Sequence, residues 1–176
     1  MLLDVGSGTT EEGGHKFLKG KGIIHVDITR KAFHVEVVCD AQYLPFVDNG
    51  FSTVNASHIL EHLENPLQAL REFKRVAKRL VIIQVPNALY FERTGESDGH
   101  IFSWNRKTLK QLLERVFSDV SVLGYVRKSK RFLKNVKIWT LSSIFGHHTI
   151  IAYCWKSDHN GLRVTRDPLS QNLESS

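Results

Sequence analysis

No stretch of the 176-residue chain holds the roughly 18 consecutive apolar residues that a membrane-spanning helix needs. Met1-Leu2-Leu3-Asp4 brings no basic residue ahead of its apolar start, which argues against a secretory leader. Cysteine is scarce. Cys39 and Cys154 are the only two, each inside an apolar, β-branched run, so both are expected as small buried hydrophobes, with a disulfide between them left open. These absences together point to a cytoplasmic location. Internal repeats and low-complexity tracts are also missing. With 41% hydrophobic and 24% charged residues, one ordinary globular domain with its own core is expected.

Acidic residues are missing from one place in particular. Residues 127–137 carry Arg127, Lys128, Lys130, Arg131, Lys134 and Lys137 without an Asp or Glu, and these six cations account for the whole net charge of +6. One basic segment, not a basic protein, therefore needs explaining. A solvated face is the ordinary explanation; an anionic partner or an acidic membrane surface is the sharper one.

Short apolar runs are spaced along the chain as strands: Leu2–Val5, Ile23–Ile28, Val35–Cys39, Val54–Ala56, Leu80–Val85, Val120–Val126 and Thr149–Trp155. Between them, Pro66–Lys78 places Leu67, Leu70, Phe73 and Ala77 on one helical face, and Asn105–Val116 does the same with Leu109, Leu112, Leu113 and Val116. Strands alternating with helices imply crossovers onto a mostly parallel sheet covered on both sides, an α/β fold. The domain is expected over residues 1–156. Within it, 127–148 is an insertion with a basic first half and an apolar second half (Trp139, Leu141, Ile144, Phe145), a candidate lid. Residues 157–176 read as a polar tail.

Three successive strand ends carry chemistry. The first runs into Asp4-Val5-Gly6-Ser7-Gly8, a glycine turn that lets backbone approach a ligand closely. The second closes on Asp27, nineteen residues after Gly8, where an acid can accept from both hydroxyls of a ribose. The third ends Cys39-Asp40-Ala41, and an Asp there can accept from the exocyclic amine of adenine. A dinucleotide fingerprint would need a third glycine at position 11, but Glu11 stands there, and Glu11 and Glu12 would face a pyrophosphate with like charge. S-adenosylmethionine (SAM) has no phosphate and a cationic end, which Asp4 suits. SAM is the expected cofactor.

The chain here resembles the type 11 branch of the class I SAM-dependent methyltransferases. The residues that carry the resemblance are Leu2-Leu3-Asp4-Val5-Gly6-Ser7-Gly8, Val26-Asp27, Asp40-Ala41-Gln42-Tyr43-Leu44-Pro45-Phe46 and Asp48-Asn49-Gly50-Phe51-Ser52. It continues through Ser57-His58-Ile59-Leu60-Glu61-His62-Leu63-Glu64-Asn65-Pro66, Glu72-Phe73-Lys74-Arg75-Val76, Val85-Pro86-Asn87 and His100-Ile101-Phe102-Ser103-Trp104. The resemblance implies a Rossmann-like sheet of seven strands, mostly parallel, with flanking helices and an antiparallel last strand. It implies that Gly6, Ser7 and Gly8 meet the methionine part, Asp27 with Ile28 the ribose, and Asp40, Ala41 and Gln42 the adenine. Ser57 and His58 would lie beside the sulfonium. Three departures stand out. Thr10 replaces a customary third glycine, and only seven residues separate Asp27 from Val35, so the second crossover helix is expected to be vestigial. The helix that normally precedes the first strand is absent, so the site is expected to be open or closed by a partner chain, a homodimer being one way.

His58-Ile59-Leu60-Glu61-His62 also matches H-x-x-E-H, which on a helix would put two histidines on one face for a zinc ion with Glu61 as base. A third ligand is not evident in the sequence, so no metal is expected and a zinc hydrolase ranks as a distant alternative. His58 and His100 are the candidate general bases for an acceptor that must lose a proton; a neutral hydrogen-bonding role suits either equally well. Trp104 and Tyr90 are candidates to line an acceptor pocket, with a core or lid role as the plainer one. Asn55-Ala56-Ser57-His58 lacks the box of amino-base methylases, and Val85-Pro86-Asn87 lacks the cysteine that cytosine C5 methylation needs. An O or N atom of a small-molecule or lipid-linked acceptor is therefore expected, with RNA behind it. A SAM-binding module without catalysis is the alternative of a different class.

Overall fold

The computed structural model describes residues 1–8, 20–30, 34–88, 100–125 and 149–156. The insertion 127–148, the tail 157–176, Thr10, Glu11, Glu12 and Tyr90 lie outside the described residues, and with them the lid and tail expected there. The strands are β1 (Leu2–Val5), β2 (Ile23–Asp27), β3 (Val37–Val38), β4 (Phe51–Ser57), β5 (Ala77–Pro86), β6 (Asp119–Tyr125) and β7 (Thr149–Trp155). They form one sheet in the order β3-β2-β1-β4-β5-β7-β6. β1 lies parallel to β2 and β4, β2 to β3 and β4 to β5, while β7 runs antiparallel to both β5 and β6. This is the Rossmann-like, seven-stranded arrangement that the sequence implied.

The inner strands are buried on both faces, which is why they read as unbroken apolar runs. Leu3, Val5, Val54, Val81, Ile83, Val85 and Ile150 are all inaccessible or nearly so. Helix α1 (Pro66–Val76) starts where the Asn65 side chain accepts from Gln68 N at 3.1 Å, with Pro66 in its first turn, and packs on β4 and β5. Its buried stripe is Pro66, Ala69, Leu70, Phe73 and Val76. Helix α2 (Arg106–Leu113) opens with a reciprocal cap: the Asn105 side chain accepts from Thr108 N, and Thr108 Oγ1 accepts from Asn105 N. Leu109 and Leu113 bury it against β6 and β7.

Several boundaries differ from the sequence reading, three of them with a visible cause. Ala77 belongs to β5 and not to the helical stripe, because pairing with Phe51 of β4 captures the chain directly after Val76. The second helix stops at Leu113, and its end is a turn in which Val116 N donates to Leu113 O. The third strand shrinks to Val37–Val38, since it has a neighbour on one side only. The residues described between β2 and β3, 28–30 and 34–36, are not helical, in line with a vestigial crossover. Cys39 and Cys154 are free thiols. No described helix is long and apolar enough to cross a membrane.

Candidate cofactor and acceptor site

The turn after β1 is held from below by β2. Gly6 N and Ser7 N both donate to Val26 O, at 2.9 and 3.2 Å, and Gly8 N donates to Asp27 Oδ2 at 3.1 Å. Gly6 and Gly8 take φ of +69° and +73°, the left-handed region in which a β-carbon is strained. Gly6 is further constrained because the Ile59 side chain occupies the space a β-carbon would need.

Asp27 is oriented by its neighbours: Oδ1 accepts from Thr29 N at 3.0 Å while Oδ2 holds Gly8 N. Oδ1 also accepts from Thr29 Oγ1 at 3.4 Å, so of the two acceptor positions each carboxylate oxygen offers, the one left for a ligand hydroxyl is on Oδ2. Ile28, directly beyond it, is 69% exposed and leaves an apolar surface beside the acid. Asp40 is braced in the same manner by Gln42, whose backbone N–H donates to Oδ1 at 2.8 Å and whose Nε2 reaches both oxygens at 3.3 Å. Gln42 in turn accepts from Asn65 N through Oε1 and from Gln68 Nε2 through its carbonyl, which ties the Asp40 loop to the start of α1. Ala41 is buried beneath.

Asp4 sits lower than the sequence suggested. It is 4% exposed, accepting from Asn55 Nδ2 at 2.8 Å and lying 3.1 Å from His25 Nδ1. His34 Nε2 lies 3.3 Å from Ser7 O, and its ring meets that of His25 edge-on at 5.3 Å. Asp4 thus links β1 to both neighbouring strands beneath the turn.

The end of β4 makes the other wall. Ser57 closes the strand, and His58 follows with φ of +52°, its N–H donating to Gln84 O at 2.8 Å. This left-handed residue turns the chain into a short 3-10 turn, Leu60–His62. H-x-x-E-H therefore does not lie on an α-helix, and His58 and His62 are not stacked at i, i+4 as a zinc protease requires. His58 Nδ1 instead stands 3.5 Å from Glu61 Oε1. His100 lies against His62, ring centroids 4.8 Å apart. Trp104 is 8% exposed and stacked on Phe102 at 5.6 Å; it belongs to the core, with Ala88 N donating to its carbonyl.

A clamp that the sequence reading quoted but gave no role holds residues 44–48, which follow Asp40. Arg75 makes two 2.8 Å bonds to Glu72 and also donates to Phe46 O, Leu44 O and Asp48, while Glu72 accepts from Leu44 N at 2.9 Å. The Arg75 hydrogen bonds hold the Glu72 carboxyl below its ordinary value, and the Glu72 and Asp48 bonds raise the guanidinium. The available signal was the i, i+3 opposite-charge pair on a helix face. Nearby, burial and then the carboxylates of Asp40 and Asp27 push the Cys39 thiol up.

The described amides of the turn all donate inside the protein, so they form no phosphate cradle. A cofactor with a nucleoside to fill two strand-end acids, and no phosphate, fits them; SAM is such a molecule. A methyltransferase-domain family model, the type 11 branch, matches residues 3–83. Over these residues the chain is similar to the class I SAM-dependent methyltransferases. Its cofactor is SAM. This methyltransferase is 28% identical to the human protein named probable tRNA methyltransferase 9B, over 73% of this chain and 30% of that one. It therefore spans about 30% of the length of that curated relative. Among solved structures it is similar to a SAM-dependent methyltransferase from Archaeoglobus fulgidus, 25% identical, with TM-score 0.60 and coverage of 88% of this chain and 85% of that one. The fold is shared with phosphoethanolamine N-methyltransferase 2 of Haemonchus contortus, a complex with S-adenosylhomocysteine, at 15% identity and TM-score 0.62, covering 89% of this chain and 49% of the other.

Proposed function

We propose that this methyltransferase binds SAM across the ends of β1, β2 and β3 and transfers the methyl group to an oxygen or nitrogen of an acceptor arriving at the end of β4. The observation that carries this reading is the convergence of Gly6–Gly8, Asp27 and Asp40 on one edge of the sheet, with the turn amides satisfied internally. Asp27 takes the ribose hydroxyls, with Ile28 covering the nucleoside. Asp40, Ala41 and Gln42 take the adenine, and Gly6, Ser7, Gly8 and Asp4 shape the methionine end. When bound, SAM supplies an electrophilic methyl on a charged sulfur. The work left to the protein is alignment of that methyl with the acceptor, and Ser57 and His58 stand where this alignment is set. His58, with Glu61 beside its Nδ1, is the base for an acceptor that must lose a proton.

For the acceptor we favour an RNA. The six cations within residues 127–137 supply what a phosphate backbone recruits, and a relative carries the name of a tRNA methyltransferase. A small-molecule or lipid-linked acceptor is the second reading, supported by the apolar half of the same insertion.

Calorimetric titration with SAM, followed by transfer of labelled methyl into RNA, lipid and small-molecule fractions, tests both levels. Label entering RNA is the expected result. Label entering another fraction replaces the acceptor, SAM binding without transfer makes the chain a binding module, and binding of NAD in place of SAM overturns the reading.

A further inference from the structure

The expectation of no metal rested on a missing third ligand, and the fold brings one forward. The loop carrying His100 is fastened to the 3-10 turn by two backbone bonds, Ile101 N and Phe102 N to Glu61 O, at 2.9 and 3.1 Å. One carboxylate oxygen of Glu61 and one ring nitrogen each of His62 and His100 lie within 4.8 Å of one another. Two ligands of a tetrahedral ion, at roughly 2.1 Å each, stand about 3.4 Å apart. Closing the cluster round an ion draws the ligand atoms together by up to about 1.4 Å, a movement left to side-chain rotation.

A second observation is independent of that spacing. Glu61 is 1% exposed, and among the described residues neither of its carboxylate oxygens accepts a hydrogen bond. A buried carboxylate with no donors is unfavourable unless something cationic approaches it. His58 Nδ1 stands at 3.5 Å on one side. His62 and His100 face the carboxylate with imidazoles, which are metal donors when neutral. His62 is exposed and His100 half-buried, so the cluster opens to solvent on the His62 side.

We infer that Glu61, His62 and His100 form a site for a first-row divalent cation of the zinc or manganese kind, for which two imidazoles and one carboxylate are a suitable donor set. Glu61 is a ligand here, not the base of a hydrolase. The 3-10 turn follows β4 directly, so the cation lies at the acceptor end of the sheet edge. An acceptor oxygen can complete its coordination and be polarised by it. That role rests on the methyl-transfer reading, whereas cation binding does not.

The test uses the full chain, freed of metal by chelation and titrated separately with Zn²⁺, Mn²⁺ and Mg²⁺ in calorimetry, with Co²⁺ absorption reporting the donor set. One Zn²⁺ or Mn²⁺ per chain is expected, with Mg²⁺ weaker. The exposed His62→Ala change should leave the melting temperature of the metal-free chain unaltered and weaken binding by at least ~10-fold, as should His100→Ala. The visible Co²⁺ bands should diminish in both. Absence of saturable binding, or binding untouched by both substitutions, overturns the site. Binding that persists in a chain with no methyl transfer keeps the site and removes only its role.

Discussion

A β-carbon built on Gly6 would lie 2.7 Å from Ile59 Cδ1, so the glycine turn after β1 and the segment after β4 touch at a point where only glycine fits. Gly6→Ala must accept a left-handed φ, at a cost of roughly 1–2 kcal/mol. Displacing Ile59 adds about 1–3 kcal/mol of overpacking. Thermal melting and SAM titration should both fall. Ile59→Ala added to Gly6→Ala should restore part of the loss, because it removes the clash and leaves the φ. A Gly6→Ala chain as stable and as SAM-competent as the parent would mean that the turn is not built this way.

Asp27 holds Gly8 N with Oδ2 and the Thr29 amide and hydroxyl with Oδ1, and keeps an acceptor position for a ligand on Oδ2. Asp27→Ala should weaken SAM binding by about 1.5–3 kcal/mol, the range for hydrogen bonds to a charged group. Asp27→Asn should fall between the two, since the amide keeps one acceptor oxygen. Equal SAM affinity in all three chains, measured by calorimetry, would remove Asp27 from the site.

Glu72 gives a pH signature. Its folded carboxyl lies below the ordinary 4.5, chiefly through the Arg75 hydrogen bonds. A lowered folded value stabilises the fold above the unfolded value, and that contribution disappears as pH falls through the folded value. Glu72→Gln should therefore cost about 1–2 kcal/mol at neutral pH, the low side because Arg75 is partly exposed. The gap to the parent should narrow below about pH 4.5. Urea unfolding across pH 3–7 measures it, and a gap constant with pH would contradict the clamp.

Cys154 lies in β7 with its thiol pushed up to about 12, mainly by burial. Thiolate is the reactive species, so alkylation at pH 8 should spare Cys154 until the sheet unfolds. Cys39, half-buried and also raised, should label first, and slowly. Mass spectrometry of iodoacetamide-treated chain over a denaturant series reads both sites. Prompt labelling of Cys154 in the native chain would contradict a β7 buried between β5 and β6.

The sequence by itself determined the sheet and the order of its strand-end residues. Apolar β-branched runs such as Leu80–Val85 are legible because a strand buried on both faces has no polar side to alternate. Asp27 and Asp40 are legible because an acid closing a parallel strand has few structural reasons to be there. What the tertiary structure alone decided lies where two distant segments meet. Ala77 joined β5 because β4 was beside it, which the local helical pattern could not report. Asp4 went to Asn55 and His25 because strands β1, β2 and β4 are adjacent in the sheet, not in the chain. The partner of His62 proved to be His100 and not His58, since a left-handed residue ended the strand and two backbone bonds to Glu61 O carried a loop from beyond β5 back to the turn. Spacing along a chain reports neighbours only while the backbone keeps a regular period. At His58 that period breaks, and the contacts beyond it are set by packing.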